Sequence, residues 1–343
     1  MNEFITYVII TVALLALELL YFRVADKFNI IDKPNERSSH SSVVLRGGGV
    51  IFCLSMVAWA VMMAVQGEWQ TLMGYMPFLC GLLLVATVSF WDDVRSLPDS
   101  VRLLAQFVAM ALMFWSIGIM HWDMWWIVAL AMIVCVGATN VINFMDGING
   151  ITAGYALAVL VPLALVNEDC FVEPSFLWVA IVGVLVFSLF NFRPKGKAKC
   201  FAGDVGSISI AFIMLFAIGR LVVATQDVTY LIFLLVYGVD GCLTICHRIL
   251  LHENLGQAHR KHAYQLMANE LRIGHVKVTL LYMALQLAVS LGFIYLCPQS
   301  VLAHWIYLLG ATAVLAVAYI LFKKKYYHLH EEYLNLIKKV ERL

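Results

Sequence analysis

Apolar runs of roughly 17–21 residues recur along this chain, the length a helix needs to cross the hydrocarbon of a bilayer. They fall near 4–22, 48–66, 73–91, 103–120, 127–145, 152–167, 176–192, 205–225, 229–246, 279–296 and 302–322, with 152–167 the shortest. These eleven runs predict an all-α polytopic membrane protein. No long linker, low-complexity tract or soluble domain interrupts them, so residues 1–322 read as a single transmembrane domain. The opening MNEFITYVIITVALLALELLYF has neither a basic leader nor a small-residue cleavage site and reads as a first span.

The connecting segments alternate between two sides. One set is 23–47, 92–102, 146–151, 193–204, 247–278 and 323–343; it holds 22 of the 23 lysines and arginines, Arg220 being the exception. The other set carries Glu68, Asp123, Glu168, Asp169, Glu173 and Asp227 but no basic residue. By the positive-inside rule the first set is cytoplasmic, with the N-terminus outside and the C-terminus inside. Trp122, Trp125, Trp126, Trp178 and Trp305 then fall at outer span ends, where interfacial aromatics belong. After Lys323-Lys324-Lys325, Leu329, Tyr333, Leu336, Ile337, Val340 and Leu343 recur at helical spacing. The tail 323–343 reads as a basic amphipathic helix on the inner leaflet or as a solvated stop-transfer tail.

Composition agrees with this picture: 62% of residues are hydrophobic and 13% charged, against about 25% charged in a soluble domain. The net charge of +1 decides nothing, and no nucleic-acid partner is expected. Eight cysteines show no CxxC spacing; Cys242 and Cys246 precede His247, but no further ligand completes a metal set nearby.

The cytoplasmic set is richer in specific polar residues than connectors require. Asp92-Asp93 closes the third run and can serve as a helix-end solvation pair, as divalent-cation ligands or as a base. Asn140, Asn143 and Asp146 are spaced i, i+3 and i+6, which on a continued helix is one face entering the membrane interior, where polar groups are functional by default. Gly147 and Gly150 follow and permit a tight turn against a ligand. Asp204, between Gly203 and Gly206, opens the eighth run as an N-cap or a metal ligand. Asp240 lies in the ninth run about two turns before Arg248. His259, Arg260, Lys261 and His262 crowd cationic and proton-carrying groups into four residues and suggest an anion site. Carboxylates gathered at one mouth would repel each other, and bound Mg²⁺ shared with substrate phosphates resolves this. The residues themselves thus predict a Mg²⁺-dependent phosphoryl-type enzyme at the inner membrane face.

In PNERSSHSSVVLRGGG (34–49), WDDVRSLP (91–98), NVINFMDGINGITAG (140–154), FNFRPKGKAKCFAGDVGS (190–207), the Asp240 and Arg248 pair, and AHRKHAYQ (258–265), the chain resembles the polyprenyl-phosphate N-acetylhexosamine-1-phosphate transferases. That superfamily includes the O-antigen- and teichoic-acid-initiating enzymes and the phospho-N-acetylmuramoyl-pentapeptide transferase. The resemblance implies that undecaprenyl phosphate attacks the β-phosphorus of a UDP-N-acetylhexosamine in a bacterial cytoplasmic membrane, giving a lipid-diphosphosugar and UMP. It further implies Asp204 as the principal Mg²⁺ ligand (Mn²⁺ a substitute) with Asn143 as a second, Asp92 as the base and Asp93 supporting the metal site. Asp146, Asn149, Asn140 and Asn191 would line the nucleotide side, with Asp240 beside them. Arg46, His259, Arg260 and His262 would bind lipid phosphate or pyrophosphate, and a homodimer through lipid-facing spans is expected.

Three departures from the family pattern stand out. HRKH replaces three consecutive histidines, which points away from the peptidoglycan enzyme and toward O-antigen or capsule initiation. RPKGKAKC is longer than the usual stretch before the metal aspartate, and Val43-Val44-Leu45 replaces a Pro-Thr-Pro-like run. One-step attack and an aspartyl intermediate both remain open. The alternatives are the muramoyl-pentapeptide transferase and, from another class, a secondary transporter with polar residues at broken helices.

Overall fold

The computed structural model describes residues 3–32, 43–120, 123, 125–256 and 259–340, with side chains to Asn335. Most of the 34–49 motif, Trp122 and Ala258 lie outside the described residues. The order is α1 (Glu3–Lys27), β1 (Ile31–Asp32), β2 (Val44–Leu45), α2 (Val50–Gln66), α3 (Trp69–Val94), α4 (Asp99–Ile117) and α5 (Trp125–Phe144). It continues with α6 (Ile151–Leu165), α7 (Pro174–Asn191), α8 (Gly203–Thr225), α9 (Leu235–Leu250), α10 (Ala263–Asn269), α11 (His275–Tyr295) and α12 (Val301–Val340). Among the described residues nine helical stretches are long and apolar enough to cross a membrane, and α2 and α6 are shorter apolar helices. The protein is therefore an all-α multi-pass membrane protein, and each predicted run lies on one of these helices.

Burial sorts the helices into layers. α6 is enclosed almost all round, from Ile151 to Leu163, and α8 presents buried residues without interruption from Val205 to Ile218. Both are uniformly apolar, as helices inside a membrane bundle should be. At 1.5 Å per residue α6 is only about 22 Å long, short of the roughly 30 Å hydrocarbon. It tolerates this because its ends meet protein. α12 is peripheral: none of its apolar window is buried. Where α3, α7 and α8 meet, Phe78 stacks on Phe216 at 4.2 Å and meets Phe176 edge-on at 5.4 Å.

Three details depart from the sequence reading. α5 stops at Phe144, so Asp146 sits in the turn beyond it and not on the α5 face. The ninth run opens as a 3-10 turn, Val228–Leu234, before α9 begins. The tail is no separate amphipathic element, because α12 runs unbroken from the apolar run through Lys323 to Val340.

Polar chain crosses at one end of the bundle. β1 and β2 pair antiparallel, Ile31 with Leu45 and Asp32 with Val44. The chain after β2 then runs beside the approach to α8: Phe201 N donates to Leu45 O at 2.8 Å, Gly48 N to Phe201 O at 2.9 Å and Gly49 N to Ala202 O at 3.1 Å. This ladder sets Arg46 beside Asp204.

Candidate active site

Asp92 and Asp93 occupy the last turn of α3, where the helix dipole disfavours carboxylates. Their stabilisation comes from outside the helix. Asp93 is buried, and its two oxygens accept the Asp204 N–H at 2.9 Å and the Val205 N–H at 3.0 Å. It thus caps the N-terminus of α8 from another helix, the favourable end for a negative charge. Arg46 Nε closes the arrangement at 2.7 Å from Asp93 Oδ1. Gly203, at φ +69°, makes this approach possible, since a Cβ there would lie 2.5 Å from Asp93 Oδ2.

Asp204 is held more loosely. Arg46 Nη2 stands 3.8 Å and Arg102 Nη2 3.5 Å from its oxygens, both long for a direct ion pair. Asp92 contacts Asp204, accepts the Leu97 N–H at 2.6 Å and faces Arg102 Nη1 at 3.3 Å. With exposed Asp99 at 3.6 Å from Arg102 Nη1, four carboxylates therefore share two guanidiniums, leaving an excess negative charge around Asp204. Burial opposes the charge on Arg46, but Asp93 and Asp204 outweigh it and hold its pKa above the ordinary arginine value.

Asp204 and Arg46 line one wall of a cavity of about 190 Å³ whose other walls carry Asn143, Asp146, Asn149, Asn191, Gln265 and His275. Asn191 Oδ1 accepts the Gly150 N–H at 2.7 Å while its Nδ2 donates to Cys200 O at 2.8 Å. Asn149 Nδ2 donates to Arg193 O and Pro194 O, each at 3.0 Å. These two amides shape the wall by clamping the 145–150 turn to the 193–200 loop. Asn140 points elsewhere: its Nδ2 donates to Gln106 Oε1 at 2.7 Å, and it does not line the cavity.

Thr152 donates to Asp146 Oδ1 at 2.6 Å. Burial nevertheless pushes the Asp146 carboxyl up to about 6. Between the usual carboxylate range and that value the folded protein keeps a proton that the unfolded chain gives up. Stability is thus greatest below the ordinary aspartate value and falls as pH rises through about 6. In metal-free buffer the thermal midpoint should decline over this window, and Asp146→Asn should flatten that part of the profile.

The sequence placed Asp240 and the 259–262 cluster at the same mouth as Asp204, but neither lines the cavity. Asp240 is buried and lined into hydrogen bonds: Oδ1 takes the Ala263 N–H at 3.1 Å and lies 3.2 Å from His262 Nδ1, and Oδ2 takes the Tyr282 hydroxyl at 2.5 Å. It caps α10 and orients His262 rather than facing the cavity. Arg260 is committed to Glu270 at 3.0 Å. Burial, with His262 and Arg248 nearby, pushes His259 down to about 3, so its ring is neutral at pH 7. The histidine loop reaches the cavity through α10: Tyr264 donates to Phe144 O at 3.1 Å, and Gln265 lines the wall. Among the described residues no three acidic, histidine or cysteine side chains converge as a metal cluster.

Arg102 and Gln265 were not anticipated, and His275 only as one of several histidines in the 247–278 segment. Arg102 carried a usable signal, a second cation one short loop after Asp92-Asp93. His275 and Gln265 reach the cavity only through the packing of α10 and α11.

Residues 75–222, which contain Asp92, Asp93, Asp146, Asn191 and Asp204, match the model of glycosyl transferase family 4. Over that stretch, somewhat under half of its length, the chain is similar to that family. A probable undecaprenyl-phosphate N-acetylglucosaminyl 1-phosphate transferase of Bacillus subtilis is 25% identical over 282 residues, 77% of each chain. A phospho-N-acetylmuramoyl-pentapeptide-transferase of Thermotoga maritima is 30% identical over 120 residues, 35% of this chain and 37% of its own. That of Halalkalibacterium halodurans is 34% identical over 88 residues, 25% and 26% of the two chains. The pentapeptide transferases are thus matched over about a third of their length or less. Arg46 and the 259–262 loop lie outside the family 4 stretch.

Proposed function

We propose that this protein transfers an N-acetylhexosamine-1-phosphate from a UDP-sugar to undecaprenyl phosphate at the cytoplasmic face, initiating a surface polysaccharide. The observation that carries the reading is the pairing on one cavity wall of a loosely held carboxylate, Asp204, with a permanently charged guanidinium, Arg46. A relative named for N-acetylglucosaminyl 1-phosphate transfer that matches over 77% of both chains supports the reading, and so does the charge asymmetry of the connecting segments.

The residues fit a hard divalent cation. Asp204, Asp146 and Asn143 offer oxygen donors to a single cavity, and one or two carboxylates completed by substrate phosphates are the usual Mg²⁺ environment. Asp204, with Asn143, would hold it. When bound, Mg²⁺ would neutralise charge developing on the phosphate oxygens. The cavity is smaller than the roughly 300–1,000 Å³ of whole-ligand sites, so it suits the diphosphate while uridine and sugar extend outward.

The lipid phosphate oxygen forms a bond to the β-phosphorus as the bond to UMP breaks. Arg46 offsets charge on the phosphates, and Asp92, behind Asp204 and in contact with it, takes the proton lost by the lipid phosphate. Direct attack is favoured because Asp93 does not line the cavity and has both oxygens engaged, while Asp92 serves as the base.

Purified protein given radiolabelled UDP-N-acetylhexosamines, a short polyprenyl phosphate and Mg²⁺ should yield a lipid-linked product and UMP, and EDTA should stop it. Release of no UMP from any sugar in the panel would sink the reading.

A further inference from the structure

α12 continues well past its apolar half, and one face of the extension grips the loop that carries His259 and His262. Tyr319, Lys323, Tyr327, His330 and Tyr333 recur at spacings of four, four, three and three, a single helical stripe. Each meets α9, α10 or the loop between them. The Tyr319 hydroxyl is 2.7 Å from that of Thr244, which donates to Asp240 Oδ1 at 3.1 Å. Lys323 donates to the Lys261 carbonyl and lies 4.8 Å from the Tyr327 ring, and the His247 ring meets Tyr327 at 4.6 Å. His330 Nδ1 and Arg260 Nη2 both stand 3.0 Å from Glu270 Oε1, and the Arg260 guanidinium lies 4.2 Å over the Tyr333 ring.

A tail that merely stops translocation would be solvated along its length. Here Lys324 and Lys325 are exposed, whereas Lys323 and His330 are buried at 7% and 1% exposure. Burying an ammonium and an imidazole is costly unless they are engaged: Lys323 bonds the loop itself, and His330 bonds Glu270, which also holds Arg260 of that loop. Among its described residues, 251–256 and 259–262, that loop has no regular helix or strand, so holding it in one conformation must offset its backbone entropy.

We propose that the extension of α12 is a strap that positions the 259–262 loop for substrate phosphate. Tyr333 and His330 act through Arg260 and Glu270, and Lys323 and Tyr327 act through the Lys261 backbone. The proposal rests on the transferase reading for its kinetic arm, but not for its structural arm.

The test uses the full chain in detergent. Tyr333→Ala should raise amide hydrogen exchange across 251–265 while leaving α6 and α8 protected. It should lower kcat/KM about a hundredfold, mostly through KM for the polyprenyl phosphate. Tyr333→Phe keeps the ring under Arg260 and should stay within about twofold of wild type. Unchanged exchange in the loop would overturn the strap. So would a loosened loop with normal kcat and KM, or loosening that spreads equally to α6 and α8. If the unaltered protein transfers no sugar, the transferase reading fails, and the exchange measurement still decides the strap.

Discussion

Replacing Asp204 by asparagine should lower turnover by about a thousandfold or more while leaving the fold intact or slightly stabilised. The two halves of this expectation share one cause. Asp92, Asp93 and Asp204 crowd around Arg46 and Arg102, so one negative charge lacks a partner in the protein. Removing it relieves repulsion, a gain typical of sites that sacrifice stability for function. Asp204 is also the carboxylate whose ion pairs are long and whose side chain lines the cavity. Losing one strongly preorganised electrostatic contact costs about a hundred- to a thousandfold, and losing a principal cation ligand costs more. Asp93→Asn should behave differently, because Asp93 Oδ1 and Oδ2 accept the first-turn amides of α8 and the Arg46 Nε–H. Its loss should lower the thermal midpoint along with activity. Asp99→Asn, at a carboxylate 78% exposed, is the control that should change neither. Single-turnover product formation beside a thermal melt separates the three, and a fully active Asp204→Asn would defeat the assignment.

The fold class was legible because hydrocarbon imposes a length on each apolar run, and the helices other than the short α10 follow those runs. The segments that carry the charge asymmetry were legible too, since lysines and arginines avoid one set of connectors almost completely. What a single sequence does not encode is which polar groups satisfy each other across elements. Asn140 shares helical spacing with Asn143, yet Gln106 on α4 takes its amide. Asp240 read as a carboxylate of the substrate side and Arg260 as part of an anion site, but Tyr282 on α11 and Glu270 at the end of α10 bind them. In each case the deciding partner is tens of residues or more away, or on a separate element, and no periodicity predicts it. The strap on α12 was hidden for a related reason. Its aromatic stripe overlaps the helical spacing of Leu329 and Tyr333, so the pattern suited a leaflet-bound helix as well as one packed on protein.

Gly206→Ala should cost both stability and activity, against the usual direction for glycine inside a helix. Alanine normally gains about 1 kcal/mol there. At position 206 a Cβ would lie 2.6 Å from Gly49 Cα and 2.9 Å from Ala202 Cβ. Gly49 is backbone held in the ladder by its own N–H to Ala202 O at 3.1 Å, so it cannot swing aside as a flexible side chain would. Overpacking of this kind costs about 1–3 kcal/mol, enough to outweigh the propensity gain. Relief requires α8 to move away from the segment carrying Arg46, and Asp204 sits two residues from the collision. A displacement on the order of 1 Å at a reacting centre costs about a hundredfold in rate. Gly74→Ala on α3 supplies the comparison, since a Cβ there meets nothing within 4 Å and should be neutral or stabilising. The expected pattern is a lower thermal midpoint and a large fall in kcat for Gly206→Ala, with Gly74→Ala unchanged in rate. If both variants melt and turn over alike, the close approach of Gly49 and Gly206 is not what holds Arg46 to Asp204.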